Sequence, residues 1–278
     1  MQGLGFQLHQ VAARHPAAAP TAPAALRDAT FSIEPGEQVA VIGPSGAGKT
    51  SLLHVLACAL QPASGTLFLE GVNPWALPAR ALQHLRGRLF LAPQVPPLPP
   101  RQRVITALLA ARLPRLSLWQ SLRALFYPDD IDTAHAALVQ FDLADKLWDR
   151  VDRLSGGERQ RVALARTLLA PASLWLIDEP LSALDPARAQ QAIDVLRHSA
   201  QVRGATLIVA LHQVPVAARF PRVLGLRDGA LMFDCPGTEL TEARLAALYA
   251  QHEEELHAAA PLQDETPTPT PPAMMVCR

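Results

Sequence analysis

Apolar positions along this chain follow two different periods, and the change from one to the other divides it. Residues 4–11 and 26–34 alternate apolar and polar side chains, the two-residue period of a strand with one buried face. Between them, Arg14 to Pro23 is a run of small residues and proline that reads as a loop. Glu37-Gln38-Val39-Ala40-Val41-Ile42 is an apolar, β-branched run predicted as a buried strand, and Ser51 to Leu56 continues as a helix. Gly65 to Gly71 and Arg88 to Ala92 read as two more strands. A proline-dense connection from Pro93 to Pro100 follows. Beyond it the segments around 103–113, 117–126 and 131–141 carry a helical period, with no strong strand before about Ala170. Strands resume at Leu174–Asp178 and Thr206–Ala210, with a helical stretch between. Alternation of this kind predicts a mostly parallel sheet with helices around it, interrupted by a helical insertion. The stretch from Pro261 to Arg278, rich in Pro and Thr, has too little to bury and is expected to be disordered.

Composition narrows the chemistry. A chain of 278 residues, 49% of them hydrophobic, can bury a sizeable core as one large domain or two lobes. Lys and Arg balance Asp and Glu at 25 each, which removes the electrostatic footprint of a dedicated nucleic-acid binder. Arginine supplies nearly all the positive charge: lysine occurs only at Lys49 and Lys146, so a lysine at position 49 stands out. Cys58, Cys235 and Cys277 are scattered and odd in number, which indicates neither a disulfide framework nor a zinc site. The start, Met1 to Phe6, lacks a basic segment followed by an apolar one, and no apolar run reaches the length of a bilayer span. The chain is expected to be soluble, with any membrane role passing through a partner.

Lys49 belongs to Gly43-Pro44-Ser45-Gly46-Ala47-Gly48-Lys49-Thr50, a complete phosphate-binding loop between a predicted strand and a predicted helix. The glycines let successive backbone N–H groups turn inward around an anion, the lysine reaches the β/γ-phosphates, and the Thr50 hydroxyl is placed to ligate Mg²⁺, with Ser51 beside it. Leu174-Trp175-Leu176-Ile177-Asp178-Glu179 is an apolar strand ending in two acids: Asp178 can hold Mg²⁺ through water, and Glu179 can polarise an attacking water. Leu154-Ser155-Gly156-Gly157-Glu158-Arg159-Gln160-Arg161 opens a helix with a Ser and two glycines, a second anion site with exposed amides. A phosphotransferase acting on a small metabolite would keep Lys49 and Asp178 but has no use for Ser155-Gly156-Gly157.

With these motifs in this order, the chain resembles the nucleotide-binding subunit of ABC transporters up to about residue 256. The resemblance implies an α/β fold of the ABC ATPase type. Its mostly parallel sheet core has an antiparallel β N-terminal part, a RecA-like core at 1–93 and 171–256, a helical subdomain over about 94–170, and a disordered Pro/Thr-rich tail at 257–278. Leu154–Glu158 would be the signature loop, in which Ser155, Gly156, Gly157 and Glu158 contact ATP on the partner protomer. Gln94 matches the glutamine loop, Ala183-Leu184-Asp185 the D-loop and His212 the switch histidine. Catalysis is thereby assigned to Glu179, His212 and Gln94, metal binding to Thr50, Gln94 and Asp178, and nucleotide contacts also to Asp185 and to His15, where the family places an aromatic residue on adenine.

Within that family the chain is similar to ATPase subunits of phosphonate importers, through Trp119-Gln120-Ser121-Leu122 with Leu125-Phe126, Leu143-Ala144-Asp145-Lys146, Ala210-Leu211-His212-Gln213-Val214 and Gly225-Leu226-Arg227-Asp228-Gly229. The implied protein hydrolyses ATP as a two-fold dimer at the cytoplasmic face of the inner membrane. It would work with a permease and a solute-binding protein, without nucleic acid, to import a phosphonate or related oxyanion. Another ABC importer, an exporter or a soluble ABC ATPase are the alternatives. Three features depart from the family pattern: His15 in place of the aromatic residue, Glu158 in place of the usual Gln, and Pro93, Pro96 and Pro97 stiffening the segment around Gln94.

Overall fold

A computed structural model describes residues 3–14, 24–126 and 130–250. Strands β1 (Phe6–Ala13), β2 (Leu26–Ile33) and β4 (Ser64–Leu69) form an antiparallel sheet in the order β2-β1-β4. β1 begins two residues later than its alternation predicts, and before it Leu4 O is turned away from the ladder to accept from the Thr206 hydroxyl at 2.9 Å.

The second sheet has six strands in the order β5-β6-β7-β3-β8-β9, from β3 (Gln38–Ile42), β5 (Leu89–Ala92), β6 (Leu174–Asp178), β7 (Thr206–Leu211), β8 (Arg222–Arg227) and β9 (Ala230–Pro236). All pairs are parallel except β8 with β9. Every residue of β3, β6 and β7 is buried, which is why these strands read as continuous apolar runs rather than alternating ones. The sequence periods do not anticipate β8 and β9. They form a hairpin around Asp228-Gly229, both at positive φ (50° and 79°), the turn chemistry that suits a tight antiparallel connection.

Helix α1 (Lys49–Leu56) follows β3, and α2 (Ala79–Arg86) precedes β5. Between β5 and β6 lie α3 (Val104–Leu109), α4 (Leu118–Phe126), α5 (Ile131–Val139) and α6 (Gly156–Leu169). The predicted helix at 103–113 is α only to Leu109 and tightens into a 3₁₀ turn over Ala110–Arg115, because Pro114 supplies no N–H and its ring crowds the carbonyl four residues back. After β6 come α7 (Pro186–Arg203), α8 (Val214–Ala217) and α9 (Glu242–Tyr249). One apolar cluster joins α3, α5, α6 and α7 to one face of the large sheet, with Trp175, Phe141 and Phe220 fully enclosed. The other fills the space between the two sheets around α1. The consequence for function is that β3, β5, β6 and β7 all end at one edge, where a parallel sheet with helices on its faces leaves its binding crevice.

Candidate nucleotide site

At that edge β3 ends at Ile42 and α1 begins at Lys49, with Gly43, Gly46 and Gly48 of the connecting loop all at positive φ. A cleft of about 440 Å³ lies against this loop, lined by Ser45 to Ser51 together with Ala25, Gln94, Glu179 and His212. Lys49 is only 4% exposed; its Nζ donates to Gly43 O at 2.8 Å and Pro44 O at 3.1 Å and stands 3.8 Å from Glu179 Oε1. The ammonium is thus held at the mouth of its own loop, against carbonyls that a phosphate oxygen can replace.

Asp178 closes β6 and is 3% exposed. Its Oδ2 accepts from the Thr50 hydroxyl at 2.8 Å, while Oδ1 is buried without a hydrogen-bond partner. Burial raises the Asp178 pKa above the ordinary carboxylate value, with the Thr50 hydrogen bond opposing. A buried acidic oxygen without a donor, beside a hydroxyl oxygen, is a hard oxygen set that fits a divalent cation such as Mg²⁺.

Glu179, the next residue, has φ +46°, a conformation that costs a residue with a Cβ and persists only where its surroundings enforce it. Its amide donates to Ala210 O at 3.1 Å, and the chain turns out of the sheet there. Both carboxylate oxygens are engaged: Oε1 with His212 Nε2 at 2.5 Å and Oε2 by the Gln94 side-chain amide at 2.7 Å. His212 follows β7 and Gln94 follows β5, so three strand ends converge on one carboxylate.

The pKa of Glu179 lies below its ordinary value near 4.5, first because of the His212 hydrogen bond and then because of the charges of His212 and Lys49, against a desolvation that raises it. The ionised carboxylate is present above that ordinary value and is lost only as pH falls through the depressed one. Replacing His212 with Ala removes the largest depressing contribution. The acid limb of any turnover that depends on this carboxylate is therefore expected to move to higher pH, and a pH profile of kcat for the two proteins checks it.

Ser155 caps α6 in a reciprocal capping box: its hydroxyl accepts from the Glu158 amide at 3.2 Å, and the Glu158 carboxylate accepts from the Ser155 amide at 2.7 Å. The latter bond is the first cause of the lowered Glu158 pKa. Glu158 in place of Gln thus serves the loop's own geometry, and the amides of Gly156 and Gly157, at the first two helical positions, have no intrahelical acceptor. Asp185 caps α7 by accepting from the Arg188 amide at 3.0 Å. The structure therefore gathers Ser45 to Ser51, Gln94, Glu179 and His212 in one cleft, with Asp178 bonded to Thr50 beneath it. Ser155 to Glu158 and Asp185 do not line that cleft. His15 lies outside the described residues. Ala25, which lines the cleft, carries no signal in the sequence.

Residues 26–182 match the family model described as ABC transporter. The chain is 61% identical over 277 residues to a "Phosphonates import ATP-binding protein PhnC" of Polaromonas sp., covering 99% of this chain and all of that one. It is 51% identical over 241 residues to a protein of the same description from Pseudomonas aeruginosa, covering 86% of this chain and 90% of that one. Among solved structures, the dimer of the ATP-binding cassette MJ0796 bound to ADP and Pi superposes with a TM-score of 0.69 at 24% identity, over 83% of this chain and 98% of that one. A bacterial Atm1-family ABC exporter with ATP bound gives 0.71 at 25% identity, over 93% of this chain and 42% of that one. By the family model and by relatives matched over nearly its whole length, this chain belongs to the ABC transporter family.

Proposed function

We propose that this chain is the ATP-hydrolysing subunit of an importer for phosphonates, acting as a two-fold dimer with two composite sites. The observation that carries the reading is the convergence of Gln94, His212 and Lys49 on the Glu179 carboxylate within the phosphate-loop cleft. Each site takes the phosphate loop, Gln94, Asp178, Glu179 and His212 from one protomer and Ser155, Gly156 and Gly157 from the other. This division is supported by the separation of the two groups within a single chain. The helical segment over about 94–170 acts as a subdomain that carries the signature loop.

Lys49 exchanges its loop carbonyls for the β- and γ-phosphates of ATP. Glu179 takes up the proton of the attacking water and His212 hydrogen-bonds the γ-phosphate. Gln94 orients the water from the opposite side. Thr50, Asp178 and Gln94 would hold Mg²⁺, which neutralises phosphate charge when bound. ATP closes the dimer and hydrolysis releases it, a two-state switch that the permease reads.

Among the described residues no helix is long and apolar enough to cross a membrane. In this reading the chain works at the cytoplasmic face of the inner membrane through a permease, with a solute-binding protein delivering the phosphonate. Co-expression with its permease and binding protein in cells that lack phosphonate uptake tests this. The wild type should support growth on a phosphonate as sole phosphorus source, and Lys49→Ala should abolish it. Growth that persists with Lys49→Ala, or that fails with the wild type when all components are present, contradicts the proposal.

A further inference from the structure

Gln160 lies one turn into α6 and is 5% exposed, a buried amide beyond the capping box of that helix. Its side-chain Nε2 donates to the carbonyl of Pro180 at 3.0 Å. Pro180 directly follows Glu179, so the acceptor belongs to the residue next to the proposed base. Proline fixes its own φ and restricts the residue before it, which makes the Glu179-Pro180 link stiff. Three residues before Gln160, on the same helix face, Gly157 packs against the next part of that segment. A methyl group at Gly157 would meet Ala183 O at 3.0 Å and Leu184 Cδ2 at 3.7 Å. The adjacent Arg161, 7% exposed, ties α6 to a second segment, its guanidinium donating to Phe141 O at 2.6 Å. The residues after α5 are also gripped from α7, where Gln191 donates to the Asp142 carboxylate at 3.0 Å.

We infer that Gln160 is a positioning residue that ties the signature loop to the segment carrying Glu179, so that the two contributions a protomer makes to hydrolysis are coupled. This rests on the composite-site reading above. In that arrangement a protomer lends Ser155, Gly156 and Gly157 to the partner's ATP and keeps Glu179 for its own. A tie between them makes the geometry of one site depend on the other. Gln160 touches no nucleotide: it acts through the Pro180 carbonyl on one side and the first turn of α6 on the other.

Gln160→Met tests it, since methionine preserves the length and apolar stem while leaving the buried Pro180 carbonyl without its donor. The expected result is a fall in kcat of at least about tenfold, the factor that an unsatisfied buried carbonyl produces if its cost falls on the transition state. The KM for ATP, measured with enough protein to keep the dimer formed, should stay unchanged, because Lys49 and the phosphate loop are untouched. A merely structural role would lower the melting temperature without this split. An unchanged kcat overturns the inference.

A second arm uses ATP-driven dimerisation in the Glu179→Gln background. If Glu179→Gln alone fails to dimerise in ATP, the composite-site reading fails. If it dimerises and the Glu179→Gln, Gln160→Met chain dimerises equally well, the tie to the signature loop is overturned. The inference expects the double variant to need at least about ten times more protein to dimerise. Should Gln160→Met not fold, Gln160→Asn keeps the amide one methylene short and is expected to show a smaller loss of kcat in the same direction; no loss overturns the inference.

Discussion

Glu179→Gln should leave ATP binding intact and lower turnover by about 10²–10⁴-fold, the span typical of lost general acid–base help. The amide keeps the size of the side chain and can still meet His212 and Gln94, which hold the two carboxylate oxygens. What it loses is the proton acceptor. With hydrolysis blocked and binding preserved, ATP should accumulate between protomers, and size-exclusion chromatography with ATP and Mg²⁺ should show a stable dimer where the wild type shows a transient one. A variant that hydrolyses at the wild-type rate removes Glu179 from the role of base, and one that stays monomeric in ATP contradicts the composite site.

How much of this was legible in the sequence depends on whether a feature is local. The phosphate loop was fully legible, because strand, glycines, lysine and helix are consecutive and each states its own backbone need. The buried strands β3, β6 and β7 were legible because burial on both faces forces unbroken apolar runs. β8 and β9 escaped because β8 reads as apolar without alternation and β9 alternates only partly, although their Asp228-Gly229 turn is a recognised hairpin signal. The helical insertion was legible as a change of period, but the end of α3 was not, since Pro114 acts on a turn that periodicity alone extends past it.

For the site, Asp178 and Glu179 could be read as acids at a strand end, and Gln94 and His212 only through the resemblance. Their convergence on one carboxylate follows from strand order, which places β5 and β7 on either side of β6, and order is not written in any local pattern. The positive φ of Glu179 has no sequence signal. Gln160 sits inside a motif that reads as a helix start, yet its partner is a backbone carbonyl 20 residues away, invisible to side-chain patterns.

The central claim, that each ATP lies between two chains, predicts a large effect at Ser155, a residue that does not line its own chain's nucleotide cleft. Ser155→Arg puts a bulky cation where a compact hydroxyl caps α6 and the Gly156 and Gly157 amides open the helix. Dimerisation and hydrolysis should be lost, while each monomer still binds nucleotide through Lys49. The direct measurement mixes Ser155→Arg with Lys49→Ala, each inactive alone, and follows ATPase activity under conditions where heterodimers are shown to form. In that heterodimer both lesions fall in one composite site and the other site is intact, so the account predicts that partial activity returns. No activity in a demonstrated heterodimer would contradict the cross-protomer arrangement.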